Sequence, residues 1–419
     1  MSRERFASLH RTAPRPLSLQ PALARCTLAL FALALAGCGR KQITASDIPS
    51  ALGAPAAVVA AEASVRRTLG EPVHLTGEIG PGARWSIDVP ENWNGDLVLY
   101  MHGYTDPVAP VALPAFGATR DALLARGFAV AASSYSENGY AVKEGLAQTH
   151  QLKGLFVSRV ARPGRTYLFG RSLGGLIGLL LSQKHPGQYD GSLLVSGVVG
   201  GTDDEVQYLG DIRVLFDAVY PNVLPGGLEN PPVVTNLNTQ VIQPVVAAIT
   251  ANPQGVGIIQ SLARRPLPGN SGQEIVNSLV TVLAFTMQGG GDLTDRTHGH
   301  SFFDNAAWRY RSPALPAPLI DDINARVARH TAASDALAFL AHYGEPSGGL
   351  SMPVLTLHTT RDPVVPFFHE GLLGNVAGGP WLLQRSVDRY GHDAFSTGEL
   401  MTNFESLVGW VSTGQKPAN

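Results

Sequence analysis

Thr166-Tyr167-Leu168-Phe169-Gly170-Arg171-Ser172-Leu173-Gly174-Gly175-Leu176-Ile177-Gly178-Leu179-Leu180-Leu181 is the stretch whose reading decides the fold. Its first four residues are those of a buried strand, and its last seven form an apolar run of helical character. Between them stands Gly-x-Ser-x-Gly. A strand that passes through a sharp turn into a helix is the context in which a serine hydroxyl becomes a nucleophile. The pentapeptide alone is weak: with 46 glycines in 419 residues, chance supplies roughly 0.3 such matches. Its two flanks carry the weight.

Outward from this turn the chain alternates. Residues 72–76 and 84–89 show the polar–apolar alternation of half-buried strands, whereas 97–101 is apolar throughout, as in a strand covered on both faces. A helical pattern over 115–126 closes at Gly127. A strand at 128–132, a helix at 142–160, the strand at 167–169, a helix at 176–183 and a strand at 192–196 follow. Alternation of this kind predicts an α/β fold: a mainly parallel sheet with helices on both faces. Over 201–345 the alternation stops. Punctuation such as Pro225-Gly226-Gly227 and Gly289-Gly290-Gly291 separates apolar helical runs at 275–285 and 320–339. A span this long predicts a large helical cap or lid inserted into the sheet. Within it, Asp321-Asp322 read as the cap of a helix. The sheet resumes at 353–358 and 382–387, with a last helix over 397–411, and no internal repeat is present.

The N-terminus reads as a targeting segment. Five arginines and one glutamate precede the apolar run Cys26-Thr27-Leu28-Ala29-Leu30-Phe31-Ala32-Leu33-Ala34-Leu35-Ala36, about a dozen residues, the length of a signal core and too short for a helix that spans a bilayer. It ends in Leu35-Ala36-Gly37-Cys38, which resembles the lipobox of bacterial lipoproteins. That resemblance implies cleavage after residue 37, lipid on Cys38 and, with Gly39 rather than an aspartate next, sorting to the outer membrane. The organisation expected is therefore a signal (1–37), an Ala/Pro/Ser-rich tether (38–65), a first core segment (66–200), the cap (201–345) and a second core segment (346–419). The sequence has two cysteines. One lies in the signal and the other is the lipid site, so no thiol is left for a disulfide. Loss of the signal takes the formal charge from −2 to −6, so lipid rather than a basic patch would hold the chain to a membrane, and nucleic acid is not expected as a partner. With 44% hydrophobic and 15% charged residues, the chain has enough apolar content for a sizeable core.

Two further stretches follow strands. Thr359-Thr360-Arg361-Asp362-Pro363-Val364 stands at the end of the first resumed strand, and Arg389-Tyr390-Gly391-His392-Asp393 at the end of the second. Serine, acid and histidine in this chain order, each beyond a strand, resemble the α/β-hydrolase superfamily of serine esterases, lipases and related peptidases. The match covers roughly 70–200 and 346–415. The resemblance implies a triad of Ser172, Asp362 and His392 and an oxyanion loop at His102-Gly103-Tyr104. Serine hydroxyl is a poor nucleophile at neutral pH, so His392 Nε2 would take its proton and return it to the leaving group. Asp362 would hold the imidazole through Nδ1–H. The backbone N–H groups of Leu173 and Tyr104 would hold the oxyanion. Asp203 and Asp204 are the alternative acids, and His369 and His358 the alternative bases. His102 would orient the oxyanion loop rather than react.

Asp295-Arg296-Thr297-His298-Gly299-His300, with Asp304, has ligand-like residue types, yet the hydrolase chemistry needs no metal, and a loop or capping role is the expectation. No cofactor is expected. Tannase and feruloyl esterase relatives place disulfide-bonded cysteines beside the serine and histidine, where this chain has Arg171 and Asp393; that subfamily is disfavoured. The function expected is hydrolysis of a small-molecule or lipid-like carboxylic ester by an exported, membrane-tethered enzyme. A serine peptidase or amidase, and an inactive binding protein of the same fold, are the alternatives.

Overall fold

The computed structural model of the protein describes residues 71–418. The signal, Cys38, the tether and residues 66–70 of the first core segment lie outside the described residues. Eight strands form one sheet: β1 (Val73–Ile79), β2 (Ala83–Val89), β3 (Leu97–Met101), β4 (Ala129–Ser133), β5 (Thr166–Arg171), β6 (Gly191–Val195), β7 (Val354–Arg361) and β8 (Leu382–Tyr390). Their spatial order is β1-β2-β4-β3-β5-β6-β7-β8. β2 runs antiparallel to both of its neighbours, and every pairing from β4 onward is parallel. This is the α/β sheet that the alternating pattern predicts.

Parallel strands need crossovers, and helices supply them. Val142–Arg159 (α2) and Leu173–Lys184 (α3) share one core cluster with Leu97, Leu99 and Met101 of β3. Gly117–Ala125 (α1) and Thr397–Thr413 (α11) share another with Val98 and Tyr100. Successive β3 residues thus enter opposite layers, which is why the strand reads as an unbroken apolar run. Phe368–Ala377 (α10), which the sequence pattern did not indicate, crosses between β7 and β8 and packs through Leu373 on Leu179 and Leu194.

Between β6 and β7 lie six α-helices: α4 (Thr202–Val219), α5 (Gln243–Ala251, entered through one π turn), α6 (Gln254–Leu262), α7 (Gly272–Arg296), α8 (Ala317–Arg326) and α9 (Ser334–Gly344). Three expectations need correction here. Gly289-Gly290-Gly291 is not punctuation but lies inside α7. The helix crosses so close to the preceding loop that a Cβ on Gly290 would stand 2.0 Å from the Leu228 carbonyl oxygen. Close packing at that crossing offsets the roughly 1 kcal/mol that each glycine costs a helix. The run at 320–339 is two helices. Between them, backbone groups bond instead to the 301–305 loop: Asn305 holds His330 N–H and Ala328 C=O, and Asp304 holds Ala332 N–H. Asp321 and Asp322 therefore sit mid-helix, paired with Arg309 and Arg326, while Pro316 stands at the N-cap. No described helix is long and apolar enough to cross a membrane.

Candidate active site

Ser172 stands between β5 and α3 with φ +56° and ψ −125°. A non-glycine residue held there is strained by about 1–3 kcal/mol, and the surroundings over-determine it. Its N–H donates to Val195 C=O at 2.9 Å, and its C=O accepts from Gly175 N–H at 2.8 Å. The flanking glycines have no room for side chains: a Cβ on Gly170 would meet Gly174 O at 2.2 Å, and one on Gly174 would meet Met101 O at 2.1 Å. Sheet, turn and helix close on the serine from both sides.

The loop after β3 meets the serine. A Cβ on Gly103 would lie 2.9 Å from Ser172 Cβ, so only glycine permits this approach. His102 is buried, stacks on Tyr135 at 4.0 Å and donates Nδ1–H to the Gly103 carbonyl at 2.8 Å. Burial pushes its pKa below the ordinary range, so the ring is neutral and acts as a brace for the loop. Among the described residues, neither Tyr104 N–H nor Leu173 N–H donates to a protein acceptor.

Asp362 and His392 come together through the β7–β8 pairing. Arg361 and Tyr390 are register partners beyond a bulge, and Gly391 N–H donates to Arg361 C=O at 3.0 Å. The next residues are thus on neighbouring strands at one sheet edge. Gly391 turns with φ +116°, and His392 Nδ1 donates to Asp362 Oδ2 at 2.7 Å. The other oxygen of Asp362 accepts from Val364 N–H at 2.9 Å and Val365 N–H at 3.0 Å, so one buried carboxylate both caps its own turn and holds the imidazole. No hydrogen bond joins Ser172 Oγ to His392 among the described residues. The residues beside them do meet: Arg171 Nε lies 2.5 Å from Asp393 Oδ2, and both side chains are largely buried. An ion pair thus joins the residues next to Ser172 and His392.

Charge around the histidine is unevenly balanced. Burial alone would depress the His392 pKa, but the charge of Asp362, its hydrogen bond and the charge of Asp393 outweigh burial and raise it above 6.5. The alternative residues are engaged elsewhere. Asp204 pairs with Arg265, and Asp203 begins α4. His369 accepts from Gly200 N–H and donates to Glu205 at 2.8 Å, and burial pushes its pKa down to about 3. His358 is fully buried with Glu370 Oε1 3.1 Å from Nδ1 and Val365 C=O 2.8 Å from Nε2. Both neighbours are acceptors, so both ring nitrogens carry hydrogen, and the cation lies 3.6 Å from Asp362 Oδ2. The 295–300 stretch ends α7, with Thr297 at its C-cap and His300 paired with Asp335.

Above Ser172 is a narrow cavity of about 80 Å³, walled by Leu209, Phe285, Leu293 and Val364. Its one carboxyl is Glu205, which burial and the nearby Asp362 charge push well above the ordinary range. Glu205 is a neighbour of the site that the sequence pattern did not reveal, and the roles of His358 and of the Arg171–Asp393 pair beside the site were not foreseen. Only the four-residue spacing from His358 to Asp362 hints at one of them.

No protein-family model and no curated protein matches the chain. Solved structures resemble it at low identity. Feruloyl esterase B from Aspergillus oryzae is 13% identical, with 83% of this chain and 81% of that one covered and a TM-score of 0.46. An esterase from Pyrococcus furiosus is 12% identical, with 84% and 94% covered and a TM-score of 0.42. The acylaminoacyl peptidase of Pyrococcus horikoshii is 10% identical, with 83% of this chain covered and a TM-score of 0.42. The chain spans 42% of that peptidase's length.

Proposed function

We propose, from the premise that the chain has the α/β-hydrolase fold, that it is a serine hydrolase cleaving carboxylic esters through an acyl-enzyme on Ser172. One observation carries this reading: a serine held at φ +56° in a glycine-walled turn, directly beneath an apolar cavity. Strain of that kind persists where the hydroxyl has work to do. His392 takes the Ser172 proton as Oγ attacks the acyl carbon. Asp362 keeps Nδ1 protonated, so that Nε2 is the base, and stabilises the imidazolium. Leu173 N–H and Tyr104 N–H receive the oxyanion, each worth about 3 kcal/mol of barrier. The aliphatic and aromatic walls favour the acyl part of an apolar ester over a peptide, whose amides would enter without partners.

The test is a panel of p-nitrophenyl esters and peptide anilides on wild type and Ser172→Ala, with fluorophosphonate labelling. Ester turnover that falls by roughly 10⁴-fold or more in the variant, with labelling lost, is expected. Anilide turnover without ester turnover would replace this reading with a peptidase.

We also propose that the chain is exported and held at the cell envelope by lipid on Cys38. That reading rests on residues 1–38 of the sequence alone. Cys38→Ser should move the protein from the membrane to the soluble fraction, and unchanged fractionation would refute it.

A further inference from the structure

A second cavity lies beside His392. It is an open groove of about 710 Å³ and runs between α5, α7 and the loops after β7 and β8, with His392 in its wall. Val364 lines both this groove and the cavity above Ser172, so the two meet at one side chain. The groove has a consistent chemistry. Val246 and Ile249 of α5 face Val276 and Val280 of α7, while Asn277 and Thr281, one position along the same helix, form a parallel polar row. The polar row is partly satisfied already, because Gln273 Nε2 donates to Asn277 Oδ1 at 2.9 Å. Among the described residues, no Asp, Glu, Lys or Arg lines the groove.

We propose that this groove receives the leaving alcohol of the substrate, and that this alcohol is bulky, uncharged and mainly apolar. The inference rests on the esterase reading and follows from the path of one proton. As Ser172 Oγ bonds to the acyl carbon, its hydrogen passes to His392 Nε2. As the bond from the acyl carbon to the alcohol oxygen breaks, the same hydrogen passes to that oxygen. Water then repeats the exchange and frees the acid. His392 Nδ1 is held by Asp362, so the leaving oxygen must come to Nε2, on the histidine side of the scissile bond. The acyl chain fills the cavity at Ser172, and the alcohol lies along the groove. The groove's valine and isoleucine walls reward an apolar alcohol, and a charged headgroup would find no charged side chain to pair with.

The probe is 2-naphthol, a bulky neutral alcohol, titrated by its fluorescence into Ser172→Ala protein, where binding is read without turnover. Val280→Trp narrows the groove. Val246→Lys, at a position 45% exposed, adds charge at its rim where folding tolerates it. Each variant should weaken 2-naphthol binding at least ten-fold. On the serine-intact background, each should lower the ratio of kcat/KM for 2-naphthyl octanoate to that for methyl octanoate at least ten-fold. Wild-type protein should also favour the naphthyl ester over choline octanoate. Unchanged binding and ratios in both variants overturn the inference while the esterase reading stands. So does failure of 2-naphthol to bind at all, as when another part of the chain fills the groove. Groove-dependent binding without turnover of any ester overturns the esterase reading instead.

Discussion

At the residue scale, the chemistry proposed for His392 turns on the few groups around it and on how they oppose one another. Asp362 and Asp393 raise its pKa, while burial and the His358 cation lower it. As the proposed base, His392 acts when neutral, so on that mechanism a raised pKa means that activity is lost as pH falls through a midpoint above 6.5. The acid limb of kcat/KM on a p-nitrophenyl ester should have its midpoint there. Asp393→Asn withdraws one raising charge, so its limb should move to lower pH; a limb that moves upward would count against this balance. The same change leaves Arg171, with 23% of its side chain exposed, without its partner. It should cost about 1–3 kcal/mol in denaturant unfolding. His392 and Asp362 were readable because each follows a strand pattern directly. The ion pair was not: the cysteines that tannase-like relatives carry at these two positions, 222 apart, imply that they converge, but no local pattern says that a cation and an anion pair there.

Elements join where α9 ends against the start of α4. Glu345, just past α9, accepts Asp203 N–H at 2.8 Å. Burial raises its pKa to about 7; the Asp203 N–H bond works against this, and the Asp203 and Asp204 charges add to it. The native state therefore holds a proton that the unfolded chain, near 4.5, releases earlier. Stability from this group is present at low pH and is lost as pH rises from about 4.5 through about 7. Glu345→Gln keeps an acceptor for Asp203 without the charge. Its melting temperature should match wild type at pH 5 and exceed it at pH 8.5, and a gap that shrinks with pH would contradict the assignment. Strands and core helices were legible because period and apolar run length are local. The cap was less so. The break between α8 and α9 comes from Asn305 and Asp304 taking backbone groups across space, and α7 runs through three glycines because a loop presses on them.

For the whole molecule, α7 ties the cap to the core along its length. Glu274 pairs with Arg361 at 3.2 Å, Ser278 shares a hydrogen bond with Tyr390, and Asp292 accepts from Tyr140 N–H at 2.7 Å. One helix therefore lines the cavity over Ser172 and also walls the groove beside His392. The sequence by itself determined the α/β alternation, the turn at Ser172 and the order of serine, acid and histidine. These follow from steric and hydrophobic rules that act within a few residues. Only the tertiary structure decided that Asp362 meets His392, that Arg171 meets Asp393, and that two apolar cavities share Val364. Those contacts join segments far apart in the chain, and their geometry is set by how helices from the insertion pack on the sheet edge, which no local period records.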